Sequence, residues 1–246
     1  MKKILLTLAI VLLMTQLRSQ SFEVSVQANS GLFHYAGNGT ASSSFINYAQ
    51  PPFHSYPNYS FGNQNGFSYG ADIQGQYVAK FGFIAGLQVG YDVLRSEAAI
   101  NYIDGLGLTE ANGGILGLSG ISAKGTSVVN DQFINFNPYI GYRLPGKKIK
   151  IDLLIGLDLP FGVNSFEKSR ETAVDGTVYE TNVNYGKAGF DPRYRYGIAV
   201  SYKRFGLTAS YAHGIINHDS DLLDDSPVIY NAYSELLRFG ITYRIW

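Results

Sequence analysis

From Phe67 onward apolar and polar residues alternate with period two: Phe67, Tyr69, Ala71, Ile73 and Tyr77 on one side, Ser68, Gly70, Asp72, Gln74 and Gln76 on the other. Successive side chains of a strand point to opposite faces, so the pattern predicts a strand with one apolar and one polar face. The period returns after a turn at Ala79-Lys80, where Phe81, Phe83, Ala85, Leu87, Val89 and Tyr91 oppose Gly82, Gly86, Gln88, Gly90 and Asp92, predicting a hairpin. A second hairpin joins 133–144 to 149–161 across Pro145-Gly146-Lys147-Lys148, and a third joins 193–203 to 205–214 across a turn near Arg204. Single strands at 22–32 and 237–245 bring the number to eight. An even number lets the first and last strands meet, and a closed sheet has no unpaired edge.

Alternation alone leaves open which face is outside, because a soluble lipocalin-like barrel has the same period. Three observations favour lipid outside. Glycines crowd the polar face, which suits a narrow filled lumen. That face carries few of the Lys and Glu residues of a water-exposed sheet. Aromatics flank smaller aliphatics along the strands, as in Phe67/Tyr69 with Tyr77, Phe81/Phe83 with Tyr91, and Tyr194/Tyr196 with Tyr202, which is what two bilayer interfaces select. Charged residues are only 15% of the chain, against roughly 25% in soluble domains. The formal net charge of zero points away from nucleic acid and polyanionic partners. With no Cys, disulfides, thiolate metal sites, a lipid-modified cysteine and a thiol nucleophile are excluded.

The first residues read as a secretory signal: basic Lys2 and Lys3, an apolar run from Ile4 to Met14, then polar residues to Gln20. The run is too short to span a bilayer as a helix, and cleavage is expected near Ser19. The domains are therefore a signal peptide, 1–19, and a barrel, 20–246. The fold class is all-β: an eight-stranded antiparallel up-and-down transmembrane β-barrel with a cleaved N-terminal signal peptide. Three connections are short, and four are long, at about 35–65, 95–130, 162–190 and 217–232. Short periplasmic turns and long extracellular loops place both termini in the periplasm. The first loop is rich in Asn, Ser, Tyr and Pro and the second in Gly, so neither has the composition of an independent core. In the third, Asp175-Gly176 between β-formers predicts a type I′ hairpin that carries strands five and six beyond the bilayer as a ribbon.

This arrangement resembles the eight-stranded outer-membrane β-barrel family that includes the OmpA transmembrane domain and OmpX, and is most similar to PorT-like outer-membrane proteins. Two stretches carry the closer likeness: Tyr211-Ala212-His213-Gly214-Ile215-Ile216-Asn217, and the ending Phe239-Gly240-Ile241-Thr242-Tyr243-Arg244-Ile245-Trp246. The resemblance implies location in the bacterial outer membrane, insertion by the barrel-assembly machinery through a terminal aromatic signal, and an accessory role in secretion. Trp246 departs from that signal, standing one residue out of phase with Ile241, Tyr243 and Ile245.

The inward set contains Glu23, Asp72, Asp92, Asp152 and Asp158 with Arg143, Lys150, Arg193, Arg195, Lys203, Arg238 and Arg244. Opposite charges in a narrow lumen should pair, giving a salt-bridged plug rather than a pore. Ser210 lies three residues from His213 on one strand, hence on the opposite face, and the two form no nucleophile and base pair. His34 lies on the first strand, with the last strand between it and His213, so a shared site is not expected. Asp219, Asp221, Asp224 and Asp225 could gather oxygens around Ca²⁺ but lack the glycine and terminal Glu of an EF-hand, and read as a solvated acidic loop. Tyr48, Phe53, Tyr56, Tyr59 and Phe61 form either an adhesive surface or packing on the barrel mouth. The expectation is a surface barrel working through its loops, with no catalytic, cofactor-binding or metal residues. Its partners would be outer-membrane lipid and an extracellular or periplasmic protein. The alternative is an outer-membrane enzyme acting on lipid A or surface peptides.

Overall fold

The computed structural model describes residues 21–49, 54–58, 61–111, 114–219 and 230–246; the predicted signal peptide lies outside the described residues. Among the described residues there are eleven strands: β1 (Ser21–Ala36), β2 (Ser43–Asn47), β3 (Tyr56–Pro57), β4 (Gln64–Val78), β5 (Phe83–Ala111), β6 (Gly114–Leu144), β7 (Ile149–Ala173), β8 (Val178–Gly186), β9 (Arg193–Tyr202), β10 (Phe205–Gly214) and β11 (Tyr233–Arg244). Eight of them close a ring in chain order, β1, β4, β5, β6, β7, β9, β10 and β11, each antiparallel to the next. β11 returns to β1 over Ser25↔Arg244 to Ala36↔Tyr233, which closes the barrel. The fold is the predicted up-and-down barrel.

The faces follow the sequence period. Ile73 is 62% exposed while its neighbour Asp72 is 5% exposed, and Phe22, Leu87, Ile140, Tyr196 and Ile241 stand outward in the same way. Glycine permits the close packing inside: a Cβ on Gly90 would collide with the Asp72 carboxylate, and one on Gly240 would meet the side chains of Asn29, Thr208 and Gln27. Those positions give the lumen room for its polar groups.

Local differences from the sequence reading have physical causes. β5 begins at Phe83, two residues later than expected, because Gly82 at φ +95° closes the turn with its N–H bonded to the Ala79 carbonyl. Lys203 is not in the lumen: it sits in the β9–β10 turn at φ +55°, exposed, with its ammonium over the Tyr202 ring. Asp175-Gly176 does make a hairpin, but only Gly176 has positive φ, whereas a type I′ turn needs two such residues. The Gly176 N–H bonds the Ala173 carbonyl and the Asp175 carboxylate accepts from the Thr177 N–H, as in a type I turn closed by a left-handed glycine. Trp246 is 78% exposed beyond the end of β11, where its N–H and carbonyl both bond the Val24 backbone.

The long loops are more ordered than their composition suggests. β5 and β6 run on as one hairpin through the glycine-rich stretch, and β8 pairs with β7 as the predicted ribbon. The parallel strand β2 joins the extended part of β5. A second small core forms there, contrary to expectation: Ile46, Ile100, Ile103 and Ala173 are buried against Tyr48 and Tyr179. The glycine-rich segment holds because β-ladder bonds and this apolar cluster act together.

Candidate functional site

Three groupings of polar side chains stand out: the lower lumen, the mouth opposite the short turns, and the outer rim of that mouth. In the lower lumen Glu23 accepts from Arg143 at 2.8 Å, Lys150 at 2.9 Å and lies 3.3 Å from Arg244. Arg143 also donates to Asp152 at 2.7 Å. Higher up, Arg238 donates to Asp92 at 2.8 Å, Arg195 reaches Asp158 at 3.3 Å and Gln88 at 2.8 Å, and Asn29 donates to Asp72. The expected salt-bridged ladder is present. The space left among Gln88, Tyr139, Arg195 and Arg244 is about 60 Å³, room for a few waters.

Arg193 departs from that ladder. Its partner is Asp191, just before β9, at 2.5 Å, and its Nε also donates to Ser234 Oγ at 2.9 Å. The fully buried guanidinium lies between the rings of Phe33 and Phe133, 5.6 Å from each centroid. Ser234 Oγ donates to Asp191 Oδ1 at 2.9 Å, and His218 Nε2 stands 3.1 Å from the same oxygen. Burial would raise the Asp191 carboxyl, but Arg193 and then His218 outweigh it and hold the group at about 2. Serine, histidine and aspartate thus meet, yet Ser234 addresses the carboxylate and not the imidazole. A nucleophile and base pair needs that missing contact.

Beside this hub lies a cavity of about 210 Å³ walled by Tyr35, Phe61, Phe133, Tyr185 and His218, with Asp131 in its lining. Asp131 is 7% exposed and accepts from the Tyr35 hydroxyl at 3.2 Å and from the Ser165 hydroxyl; burial pushes it above the ordinary carboxylate range. Glu167, buried on the adjoining β7, accepts from Ser127 and Tyr185 hydroxyls and is likewise raised by burial. These inward positions continue the phase that is polar lower down: on β1 it passes from Gln27 and Asn29 to Phe33 and Tyr35. Phe33, Tyr35, Leu94, Phe133, Ala212 and Leu236 form an apolar collar above the ion pairs.

On the outer rim, His34 and His213 both approach Glu235, at 3.6 Å and 3.4 Å. β11 does lie between their strands, as expected, but it presents Glu235 to both, so the two histidines do share a site. His213 stacks on Tyr233 at 5.8 Å. Ser210 points inward and accepts from Arg195, on the face opposite His213 as predicted. The cluster holds an acid and two bases, and its neighbours Tyr233 and Tyr211 supply phenols rather than an aliphatic hydroxyl nucleophile.

Of the loop residues, Tyr48 packs edge-on to Tyr179 and Phe61 to Tyr35, so both belong to the packing, while Tyr56 is exposed. Phe53 and Tyr59 lie outside the described residues, as do Asp221, Asp224 and Asp225. Asp219 is buried, which corrects its place in a solvated loop. Among the described residues no cluster of His, Asp or Glu is arranged to hold a metal ion. Sequence reasoning overlooks Asp131, Asp191, His218 and Ser234. Two signals were available: the i, i+2 pair Asp191-Pro192-Arg193, and the stretch Leu32-Phe33, apolar on both faces at a strand's end.

No family profile and no curated protein matches the sequence. Among solved structures, Ail, the attachment invasion locus protein of Yersinia pestis, crystallised with the heparin analogue sucrose octasulfate, is 11% identical over 92% of this chain and 99% of its own, at a TM-score of 0.34. Neisserial surface protein A is 12% identical over 92% and 99%, at 0.36. The deltaS2 mutant of the TodX monoaromatic hydrocarbon channel is 10% identical over 92% and 90%, at 0.26. Overlaps this loose carry no argument about activity or ligand.

Proposed function

We propose that this protein is an outer-membrane barrel exposed at the bacterial surface, with a closed lumen and a role carried by the extracellular sheet of β2, β3, β5, β6, β7 and β8. The observation that carries this reading is the contrast between faces. A continuous apolar exterior, with aromatics such as Phe22, Tyr202 and Phe205 near the short turns and Phe67, Tyr91 and Tyr194 toward the mouth, surrounds a lumen of paired charges. Such an exterior is costly in water and favourable in hydrocarbon. Both termini then lie in the periplasm, and Trp246 serves as an interfacial anchor or part of the signal read by the barrel-assembly machinery.

The test is fractionation with gel mobility of unheated and boiled protein, followed by planar-bilayer recording. Recovery from the outer membrane, a folded band that shifts on boiling and no sustained ohmic current are expected. A soluble fraction overturns the membrane reading, and steady conductance overturns the closed lumen. The extended sheet supports adhesion or partner binding, and the likeness of 211–217 and 239–246 to PorT-like proteins supports a secretion partner among these. Cross-linking from Tyr56 on β3 and Val174 in the β7–β8 turn, both exposed, identifies which. The enzyme alternative rests on the His34, Glu235 and His213 cluster; unchanged lipid A and unchanged surface proteolysis in a strain carrying His213→Ala and His34→Ala exclude it.

A further inference from the structure

We infer that the mouth cavity is a binding site for a small organic ammonium ion, received by the Asp131 carboxylate within walls of Tyr35, Phe61, Phe133 and Tyr185. Three observations converge. The space of about 210 Å³ exceeds the roughly 150 Å³ that accepts benzene, so a trimethylammonium group fits. The walls are rich in aromatic rings, whose faces attract a cation once it is desolvated. The charge balance asks for a cation as well. Arg193 is ion-paired with Asp191 and acts on Asp131 only through space, whereas the hydrogen bonds that Asp131 and Glu167 accept come from hydroxyls: Tyr35 and Ser165 for the first, Ser127 and Tyr185 for the second. Lys187 also lines the cavity, but its residue is exposed and stands at the rim. A buried carboxylate with only neutral donors, facing an aromatic cup, is built to receive a positive charge from outside.

The probe is tetramethylammonium, titrated calorimetrically into the full barrel in an uncharged maltoside detergent, with the neutral 3,3-dimethylbutan-1-ol as control. Saturable binding is expected at millimolar concentration, with the alcohol at least about ten-fold weaker because it lacks the charge. Asp131→Asn keeps both hydroxyl contacts and should weaken tetramethylammonium about ten-fold or more, while Phe61→Leu keeps bulk and should weaken it several-fold. Lys187→Ala removes a like charge and should tighten it. Equal affinity for cation and alcohol, unchanged affinity in Asp131→Asn, or no saturable heat each overturns the proposal. Gel mobility of unheated protein shows that each variant is folded, and it also tests the barrel reading separately. A free ammonium and a lipid headgroup share this chemistry: tetramethylammonium binding weakened by adding short-chain phosphatidylcholine to the maltoside micelles, but not by adding an uncharged diacylglycerol, assigns the site to a headgroup, and binding unchanged by either assigns it to a soluble cation.

Discussion

The lower lumen and the mouth are built on the same inward phase of the same strands, yet they handle charge in opposite ways. Below, carboxylates meet guanidinium or ammonium groups: Glu23 touches Arg143, Lys150 and Arg244, and Asp92 touches Arg238. Above, Phe33, Leu94 and Phe133 close the interior, and Asp131 and Glu167 rest on hydroxyls. At hydrocarbon depth lipid lies outside the wall and the lumen inside has room for only a few waters, so an unmatched charge is costly and pairing is favoured. At the mouth one side opens to water, and the requirement relaxes. Cations below are therefore structural, whereas above, beside the structural Arg193–Asp191 pair, Asp131 is left to take an exchangeable one.

The comparison can be broken most sharply with Arg143→Leu. It leaves Glu23 and Asp152 short of their shared partner and should cost about 3–5 kcal/mol, read from urea unfolding in micelles. A loss under about 1 kcal/mol would class the ladder with weak surface pairs and erase the difference between the two regions. Next comes a matched pair at the mouth. Asp191→Asn strands the buried Arg193 and should cost about 3 kcal/mol, whereas Asp131→Asn keeps both hydroxyl bonds and should stay within about 1 kcal/mol of the parent. Equal losses would show that Asp131 has a hidden counter-ion. Gly90→Ala should cost about 1–3 kcal/mol by pushing on Asp72, with the circular dichroism of the barrel retained below its shifted melting point.

The smallest expected effect is on pH, and its sign differs between neighbours. Asp191 is held at about 2, below its ordinary 3.8, so its contribution is present above 3.8 and lost as pH falls toward 2. Glu167 is raised above 4.5: the folded state binds its proton more tightly, so stability is highest below 4.5 and declines as pH climbs through the raised value. Hydrogen-exchange protection of β7 and β8, corrected for intrinsic rates, should therefore be greater near pH 4.5 than near pH 8. Uniform protection would remove the claim that Glu167 is uncompensated.

The barrel was legible because one rule, period two, governs every spanning strand, and a slip by one residue would turn a whole strand inside out. The ladder charges were legible for the same reason: parity places Glu23, Asp152 and Arg143 inside. Lys203 falls outside that rule because parity says nothing about where a strand stops, and the turn has already begun there. The mouth is harder to read. Asp191, His218 and Ser234 come from two connections and a strand end, and the inward curl of the β9, β10 and β11 sheet brings the histidine and the serine within 3.1 Å of the Asp191 carboxylate. Strand order alone keeps His34 and His213 apart on either side of β11, whereas the register puts Glu235 on that strand opposite both.

The unequal strands have a further consequence. β5 and β6 have 29 and 31 residues, and β9 and β10 have 10 each, so among the described residues the strands rise as a parapet along one side and stop at a low sill along the other. Seen from above, the molecule has a front and a back. A neighbour in the same membrane would meet either the taller strands or the shorter ones, depending on how the barrel has rotated.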